Sequence, residues 1–181
     1  MSAVIKQKKG YLHIYTGTGK GKTTAALGLA LRAAGSGYKV CFLQFFKDPR
    51  IPCGEAHALK KLGEKVFFKR FGIVHPDFKK TPTILLRRQI ERALERTRRV
   101  IAGGTYDLIV LDEVLIGVSQ GFIAEQTLLE MIETKMASAE IILTGRGASA
   151  ALMDAADYVT DMKALKHPFS AGLKARRGIE F

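Results

Sequence analysis

The chain has 181 residues, of which 47% are apolar and 25% charged, and this composition is typical of one globular domain. No apolar run approaches the roughly 20 residues that a membrane-spanning helix needs. Residues 1–9 lack the apolar core of a secretory signal, so we expect a cytoplasmic protein. The two cysteines, Cys41 and Cys53, form no C-x-x-C pair and predict neither a disulfide framework nor a structural zinc site.

The net charge of +12 is unevenly distributed along the chain. Between Lys60 and Arg99 there are 13 Lys and Arg residues against 4 Asp and Glu, whereas between Val100 and Met162 there are 2 against 10. A basic block followed by an acidic block fits nucleic-acid binding, an acidic partner or self-association through complementary faces. Two solvated helix faces explain the same counts equally well.

In chain order, the polar and basic residues 1–9 predict a flexible arm in front of a single domain that covers residues 10–181. Leu12 to Tyr15 form a short apolar run that predicts a buried strand. A loop with three glycines follows, and Lys22-Thr23-Thr24 begins a helix. Strand, glycine loop and helix in this order predict a nucleotide-phosphate site, in which backbone N–H groups and a lysine face the anion. The loop is a variant, because the first glycine of G-x-x-x-x-G-K-[ST] is displaced by one residue to Gly17.

The next elements predict the fold class. Residues Lys22 to Ala34 are apolar nearly all round, which indicates a helix packed on more than one side. Tyr38 to Phe46 is a continuous apolar run that predicts a second buried strand. Buried strands joined through helices indicate an α/β protein with a parallel sheet and helices on both faces. The irregular loop 47–54 follows the second strand at the sheet edge where such folds bind ligands.

The middle of the chain is basic. We expect a short helix over Glu55–Leu62 and a strand over Lys65–Phe68. Residues 70–82 show no clear period, and their apolar side chains indicate a satellite core in preference to the wall of a hydrophobic pocket. Thr83 to Ala102 predicts the longest amphipathic helix, with an arginine-rich outer face.

A second chemical landmark is Asp112-Glu113, which follows four apolar residues. This pattern predicts an acidic pair at the carboxyl end of a central strand, where a carboxylate can hold the Mg²⁺ of a nucleotide. The alternative is a favourable pair of charges at a helix N-terminus. Further on, Arg146 lies between two glycines and suits a β- or γ-phosphate. The remaining predictions are helices over Glu125–Ala137 and Ala148–Ala156, strands over Ala139–Leu143 and Tyr158–Met162, and a tail that ends in a short strand.

These features indicate an ATP- or GTP-binding domain and leave its reaction open. Lys20 and Lys22 in one loop suggest a heavy negative load, such as a whole triphosphate held as a leaving group. Five stretches together resemble the P-loop class of cob(I)alamin (corrinoid) adenosyltransferases, and the resemblance runs from about Gly10 to Phe181. They are Thr16 to Ala26, Gln44-Phe45-x-Lys47, Leu111-Asp112-Glu113, Thr144-Gly145-Arg146-Gly147 and the tail from Lys166-His167 to Gly178-Ile179.

The resemblance implies a RecA-like P-loop NTPase fold and a homodimer. It also implies transfer of the 5′-deoxyadenosyl group of ATP to Co(I) of a corrinoid (cob(I)alamin or cob(I)yrinic acid a,c-diamide), with release of triphosphate. The implied substrates are ATP and a reduced corrinoid, Mg²⁺ accompanies the nucleotide, and a reductase or flavoprotein supplies the electron. Residues 10–181 are then one catalytic nucleotide-binding domain.

The same resemblance implies roles for individual residues. The catalytic set is Lys22, Glu113 and Arg146, and the metal set is Thr23, Asp112 and Glu113. The residues that would bind phosphates and ribose are Gly17, Thr18, Gly19, Lys20, Gly21, Lys22, Thr23 and Thr24, and Phe71 would contact the corrin. Two positions depart from the family pattern, because Thr18 stands where Asn is frequent and Ile73 stands where Trp is frequent.

Two other classes of function remain open at this point. A RecA-like ATPase acting on nucleic acid would use the basic Lys60–Arg99 block, and it predicts a steep salt dependence of binding. A non-catalytic protein would bind ATP and a corrinoid and release no triphosphate.

Overall fold

The computed structural model describes residues 9–48, 50, 52–73, 83–168 and 172–180. In this part of the chain, six strands form one sheet in the order β3-β2-β4-β5-β1-β6, and every neighbouring pair is parallel. The strands are β1 Leu12–Thr16, β2 Val40–Gln44, β3 Val66–Arg70, β4 Leu108–Asp112, β5 Glu140–Thr144 and β6 Tyr158–Asp161. The helices are α1 Lys22–Gly35, α2 Gly54–Lys61, α3 Thr83–Ala102, α4 Val114–Ser119, α5 Glu125–Glu133 and α6 Ala150–Ala155, and a 3₁₀ turn covers Gly63–Lys65.

Helices cover both faces of the sheet, as the sequence predicts. On one face α1 and α2 pack through Ala26, Ala30 and Leu59 onto side chains of β2, β4 and β5. On the other face, residues of α3, α4, α5 and α6 join the opposite sides of the same strands in a larger core. All five residues of β2 and of β4 are buried, which explains why their sequences are continuous apolar runs that end in one polar residue.

Helix α1 packs more simply than its sequence suggests. Its buried positions, which include Ala26, Ala30 and Ala33, form one stripe facing the sheet. Leu31 on the outer side is 57% exposed. In the single chain, the expectation of packing on more than one side is therefore wrong.

Two further differences concern short segments. Helix α4 has no counterpart in the predicted elements, and α5 ends at Glu133, four residues before the predicted end. The described part of the tail, residues 172–180, contains turns and no strand, so the predicted terminal strand is wrong for those residues. No helix in the described ranges is long and apolar enough to cross a membrane.

The irregular segment after β3 contributes to the main core. Ile73 is 0% exposed and belongs to the larger core cluster, and Phe71 packs against that cluster. The predicted separate satellite core is therefore wrong for these two residues. Residues 74–82 lie outside the described part, as do residues 1–8 of the predicted flexible arm.

Candidate active site

The glycine loop between β1 and α1 rests on the end of β6. Thr16, the last residue of β1, pairs with Asp161, so the chain can turn only from Gly17 onward. Gly17 has φ 100°, and a Cβ there would lie 2.3 Å from Asp161 Oδ1. Gly19 N–H donates to the Met162 carbonyl at 2.6 Å. This close approach explains the displaced glycine of the motif, since a side chain at position 17 would collide with β6.

Lys22 is the first residue of α1, and its side chain turns back into the glycine loop. Its side chain is buried, and Nζ donates to the carbonyls of Gly17 at 2.8 Å and Gly19 at 2.7 Å. Burial lowers the pKa of Lys22, and the nearby Glu113 carboxylate opposes that shift. An ammonium has three donors. The Lys22 ammonium is therefore a desolvated cation that uses two of its donors to bind the loop carbonyls. Its third donor can bind an anion.

Asp112 at the end of β4 organises the polar groups under the loop. It is 0% exposed, and its Oδ1 accepts from Thr23 Oγ1 at 2.9 Å and from Thr144 Oγ1 at 2.7 Å. Its Oδ2 accepts from Gln44 Nε2 at 3.0 Å. The Thr23 hydroxyl donates its hydrogen to Asp112, so the lone pairs of its oxygen can still bind a cation.

Glu113 is strained and incompletely paired. Its φ is 64°, in the left-handed region that a non-glycine residue adopts at a cost of about 1–3 kcal/mol. Its Oε2 is buried and has no hydrogen-bond partner among the described residues. Burial raises the pKa of Glu113, the neighbouring Asp112 raises it further, and Lys47, Lys22 and Arg146 lower it. A buried carboxylate oxygen without a donor is costly unless a cation occupies the site, so these residues fit a divalent ion.

The acidic pair lies at the junction between a strand and a helix. Asp112 ends β4 and Glu113 immediately precedes α4, so the strand-end geometry and the helix-start alternative coincide at one turn. Glu113 N–H donates to Thr144 Oγ1 at 2.9 Å, which ties this turn to the end of β5.

Of the other predicted residues, Arg146, Thr18 and Thr24 lie near the glycine loop, whereas Phe71 lies farther away. Arg146 is exposed in the loop after β5, where its charge acts on both Lys22 and Glu113. Thr18 and Thr24 are exposed on the loop and the first turn of α1. Phe71 follows β3, and β2, β4 and β5 lie between that strand and β1. At about 4.8 Å per strand, this separates Phe71 from the glycine loop by about 19 Å.

Phe71 nevertheless lies at the same edge of the sheet as the loop. Its ring packs on Phe45 at a centroid distance of 4.9 Å, and its N–H donates to the Gln44 carbonyl at 3.0 Å. Ile73, at the position where the family often has Trp, is buried in the core. Its side chain therefore offers no surface for stacking against a ligand.

The structure also identifies residues that the sequence alone left without a role. Lys20 Nζ donates to Glu180 Oε1 at 2.9 Å, and Arg176 donates to the same carboxylate. These bonds hold the pKa of Glu180 at about 2, with Arg176 as the larger cause and Lys20 next. The C-terminal tail therefore reaches the glycine loop. Gln44 and Thr144 are the other additions, and both stand in stretches that carry the family resemblance.

The comparisons with known proteins agree with this geometry. A sequence profile of the family described as ATP:corrinoid adenosyltransferase BtuR/CobO/CobP matches residues 8–181. The chain belongs to this family. It is 34% identical to a corrinoid adenosyltransferase of Pseudomonas aeruginosa over 99% of this chain and 87% of that one. A corrinoid adenosyltransferase of Escherichia coli is 30% identical over 99% of this chain and 89% of its own length.

Membership confirms the recognition drawn from the five stretches, and it makes this protein a transferase acting on ATP and a corrinoid. The fold prediction is confirmed as well. The flagellar accessory protein FlaH of Methanocaldococcus jannaschii superposes with a TM-score of 0.60 over 85% of this chain and 71% of that one. At 14% identity, this likeness concerns the fold alone.

Proposed function

We propose that this adenosyltransferase joins the 5′-carbon of ATP to the Co(I) centre of a reduced corrinoid and releases inorganic triphosphate. The cobalt electron pair forms the Co–C bond, and the bond between the 5′-carbon and oxygen breaks with its electrons leaving on the triphosphate. No base is needed at the attacked carbon. The protein holds two substrates in line and stabilises the charge of the leaving group. The observation that supports this most is the buried Lys22 in a glycine loop, adjoining the unsatisfied carboxylate of Glu113.

The glycine loop binds the triphosphate in this proposal. Lys22 neutralises the phosphate seated in the loop, and Lys20 exchanges its bond with Glu180 for a second phosphate contact. Arg146 approaches the same anion from the end of β5. The exposed hydroxyls of Thr18 and Thr24 bind the ribose or the outer phosphates. Two ammonium groups and one guanidinium offset three of the negative charges on a triphosphate that leaves in one piece.

Thr23 and Glu113 would hold a Mg²⁺ ion, and Asp112 acts on it through Thr23. Both oxygens of Asp112 already accept hydrogen bonds, which suits an orienting role. Within the described residues, no three His, Cys, Asp or Glu side chains come together as a metal site. An ion here would therefore take most of its ligands from the triphosphate and water, as Mg²⁺ usually does. When bound, it would neutralise part of the triphosphate charge.

Phe71 is the proposed corrin contact. It lies at the shared sheet edge, about 19 Å from the loop by strand spacing, which leaves room for an extended nucleotide between loop and ring. The proposal also includes a homodimer and an electron donor, a reductase or flavoprotein, because Co(I) forms only under reducing conditions. We also propose that the protein is located in the cytoplasm, because that compartment provides the reducing conditions.

The test is a spectroscopic one. The protein is mixed with ATP, Mg²⁺ and chemically reduced cobalamin, and the corrin absorbance is followed. We expect the spectrum of an adenosylated corrinoid to develop with the wild type and to be lost with Lys22→Ala. Binding of the corrinoid without this change would identify a non-catalytic binding protein. Phosphate release stimulated by DNA or RNA, with no change in the corrin spectrum, would favour the nucleic-acid ATPase instead.

A further inference from the structure

A row of polar side chains crosses four neighbouring strands at the edge of the sheet that carries the site. Gln44 at the end of β2 is in register with Arg70 of β3 on one side and with Asp112 of β4 on the other. The pairing of Leu111 with Leu143 sets Asp112 beside Thr144 of β5. Side chains in register on parallel strands point to the same face, so the four residues form a continuous row on the α1 side.

The amide of Gln44 can adopt only one orientation in this row. Its Oε1 accepts from Arg70 Nε at 2.9 Å, and its Nε2 donates to Asp112 Oδ2 at 3.0 Å and to a Glu55 oxygen at 3.3 Å. A flipped amide would turn its oxygen toward two carboxylates and its NH₂ toward a guanidinium. Both contacts would then be repulsive, so charge on either side decides the orientation of the amide.

Arg70 is itself anchored. Its Nη1 donates to the Asp48 carbonyl at 3.0 Å, and its Nη2 contacts Cys53 Sγ. The guanidinium therefore presents Nε to Gln44 in a fixed direction. Gln44 is 0% exposed, and water cannot replace either of its bonds.

We propose that Gln44 is a positioning residue for the Asp112–Thr23 pair, and that Arg70 sets the orientation of the Gln44 amide. With Gln44 in place, Asp112 Oδ2 is occupied and Oδ1 stays turned toward Thr23. Without it, the carboxylate has an unsatisfied oxygen and rotates, and the Thr23 hydroxyl loses the partner that fixes its lone pairs. The inference rests on the proposed role of Thr23 in binding Mg²⁺.

The experiment measures ATP binding by calorimetry, once with Mg²⁺ and once with EDTA. Gln44→Met keeps the length of the side chain and removes the amide. We expect it to weaken Mg²⁺-dependent ATP binding about tenfold, the low end of the range for residues that orient metal ligands, and to leave binding in EDTA unchanged. Arg70→Met should act in the same direction with a smaller effect, because Asp112 keeps its donor. Lys69→Met removes one exposed charge from the same strand and should change neither value.

Two results would overturn the inference. One is an unchanged ratio of the two affinities in Gln44→Met, and the other is an equal loss with and without Mg²⁺, which indicates general damage to the pocket. Thermal unfolding shows whether Gln44→Met is folded; if it is not, the half-buried Arg70 decides, and an unchanged ratio in Arg70→Met refutes the proposal. If wild-type binding itself proves indifferent to Mg²⁺, the proposed metal role fails. If wild-type binding depends on Mg²⁺ and both variants keep the wild-type ratio of the two affinities, the positioning role fails alone.

Discussion

Two lysines stand two positions apart in the glycine loop and have opposite surroundings. Lys22 is buried and braced by loop carbonyls, and burial lowers its pKa. Lys20 is exposed and paired with a carboxylate of the tail. A desolvated cation interacts more strongly with an anion than an exposed one does, so the two residues should contribute unequally to nucleotide binding.

The first prediction concerns Lys22→Ala. The change removes a buried cation whose charge-assisted bonds to phosphate are worth about 1.5–3 kcal/mol each, so ATP affinity should fall by about 10- to 100-fold. Calorimetry measures it, with Lys39→Ala, an exposed lysine before β2, as the matched control. Wild-type ATP affinity in the variant would show that the loop does not hold phosphate.

The second prediction concerns Thr23, whose hydroxyl donates to Asp112 at 2.9 Å. Thr23→Ala removes the oxygen proposed for Mg²⁺, so turnover should need more Mg²⁺ and recover in part when the ion is in excess. Thr23→Ser keeps the hydroxyl and should follow the wild-type Mg²⁺ titration. A Thr23→Ala enzyme whose activity is indifferent to Mg²⁺ concentration would remove this residue from the metal site.

At the scale of elements, the long and strongly patterned segments were predictable. Helix α3 has the predicted bounds Thr83–Ala102, and the acidic pair lies at the carboxyl end of β4, as expected. Helix α4 was missed because six residues are too few to show a helical period, and its start requires a positive φ at Glu113 that the residue type does not suggest.

For the candidate site, the sequence predicted which residues would lie together, and their roles stay predictions. Motif spacing pointed to the loop because phosphate binding needs glycine, lysine and threonine in a fixed order, and to the carboxylates because they follow a buried strand. It could not identify Gln44 or Glu180, since their roles depend on strand register and on a tail that folds back over 160 positions of sequence. Such long-range contacts leave no local pattern.

The third prediction concerns the tail, through Glu180. Glu180→Gln removes a negative charge that competes with phosphate for Lys20, so ATP should bind about two- to fivefold more tightly, within the range for an exposed ion pair. The effect should shrink at high salt. The pKa of Glu180, about 2, lies below its ordinary value of 4.5, so the contact is intact at neutral pH and is lost as pH falls from 4.5 through 2.

Calorimetry at low and high salt measures this change in affinity. Glu64→Gln in the 3₁₀ turn is the control, because it removes an exposed carboxylate elsewhere. Weaker ATP binding in Glu180→Gln would mean that the tail positions Lys20 for the phosphate instead of competing for it.

For the whole molecule, the structure weakens the case that the acidic block, residues 100–162, drives self-association. Several of its carboxylates accept hydrogen bonds from distant parts of the same chain, so part of their charge is already compensated within the fold. These are Asp107, Asp112, Glu125, Glu140 and Asp157. The basic side chains of α3, in contrast, are mostly exposed. Complementary charged faces are therefore a weaker cause of self-association than the sequence suggests.

The fourth prediction is a dimer in solution with a weak dependence on salt. The family resemblance implies a homodimer, and Leu31, Tyr158 and Val159 are exposed apolar side chains that a second copy could cover. Sedimentation at low and high salt measures the state. A monomer at every salt concentration would refute the dimer, whereas a dimer that dissociates at high salt would restore the electrostatic explanation.

The central claim concerns which bond of ATP breaks. Hydrolases and kinases cleave a bond to phosphorus, whereas this enzyme should cleave the bond between the 5′-carbon and oxygen and leave all three phosphorus atoms joined. Phosphorus NMR of a reaction with ATP, Mg²⁺ and a Co(I) corrinoid distinguishes the two. We predict inorganic triphosphate that accumulates one-for-one with adenosylated corrinoid. ADP as the main product, released without any corrinoid, would contradict the account.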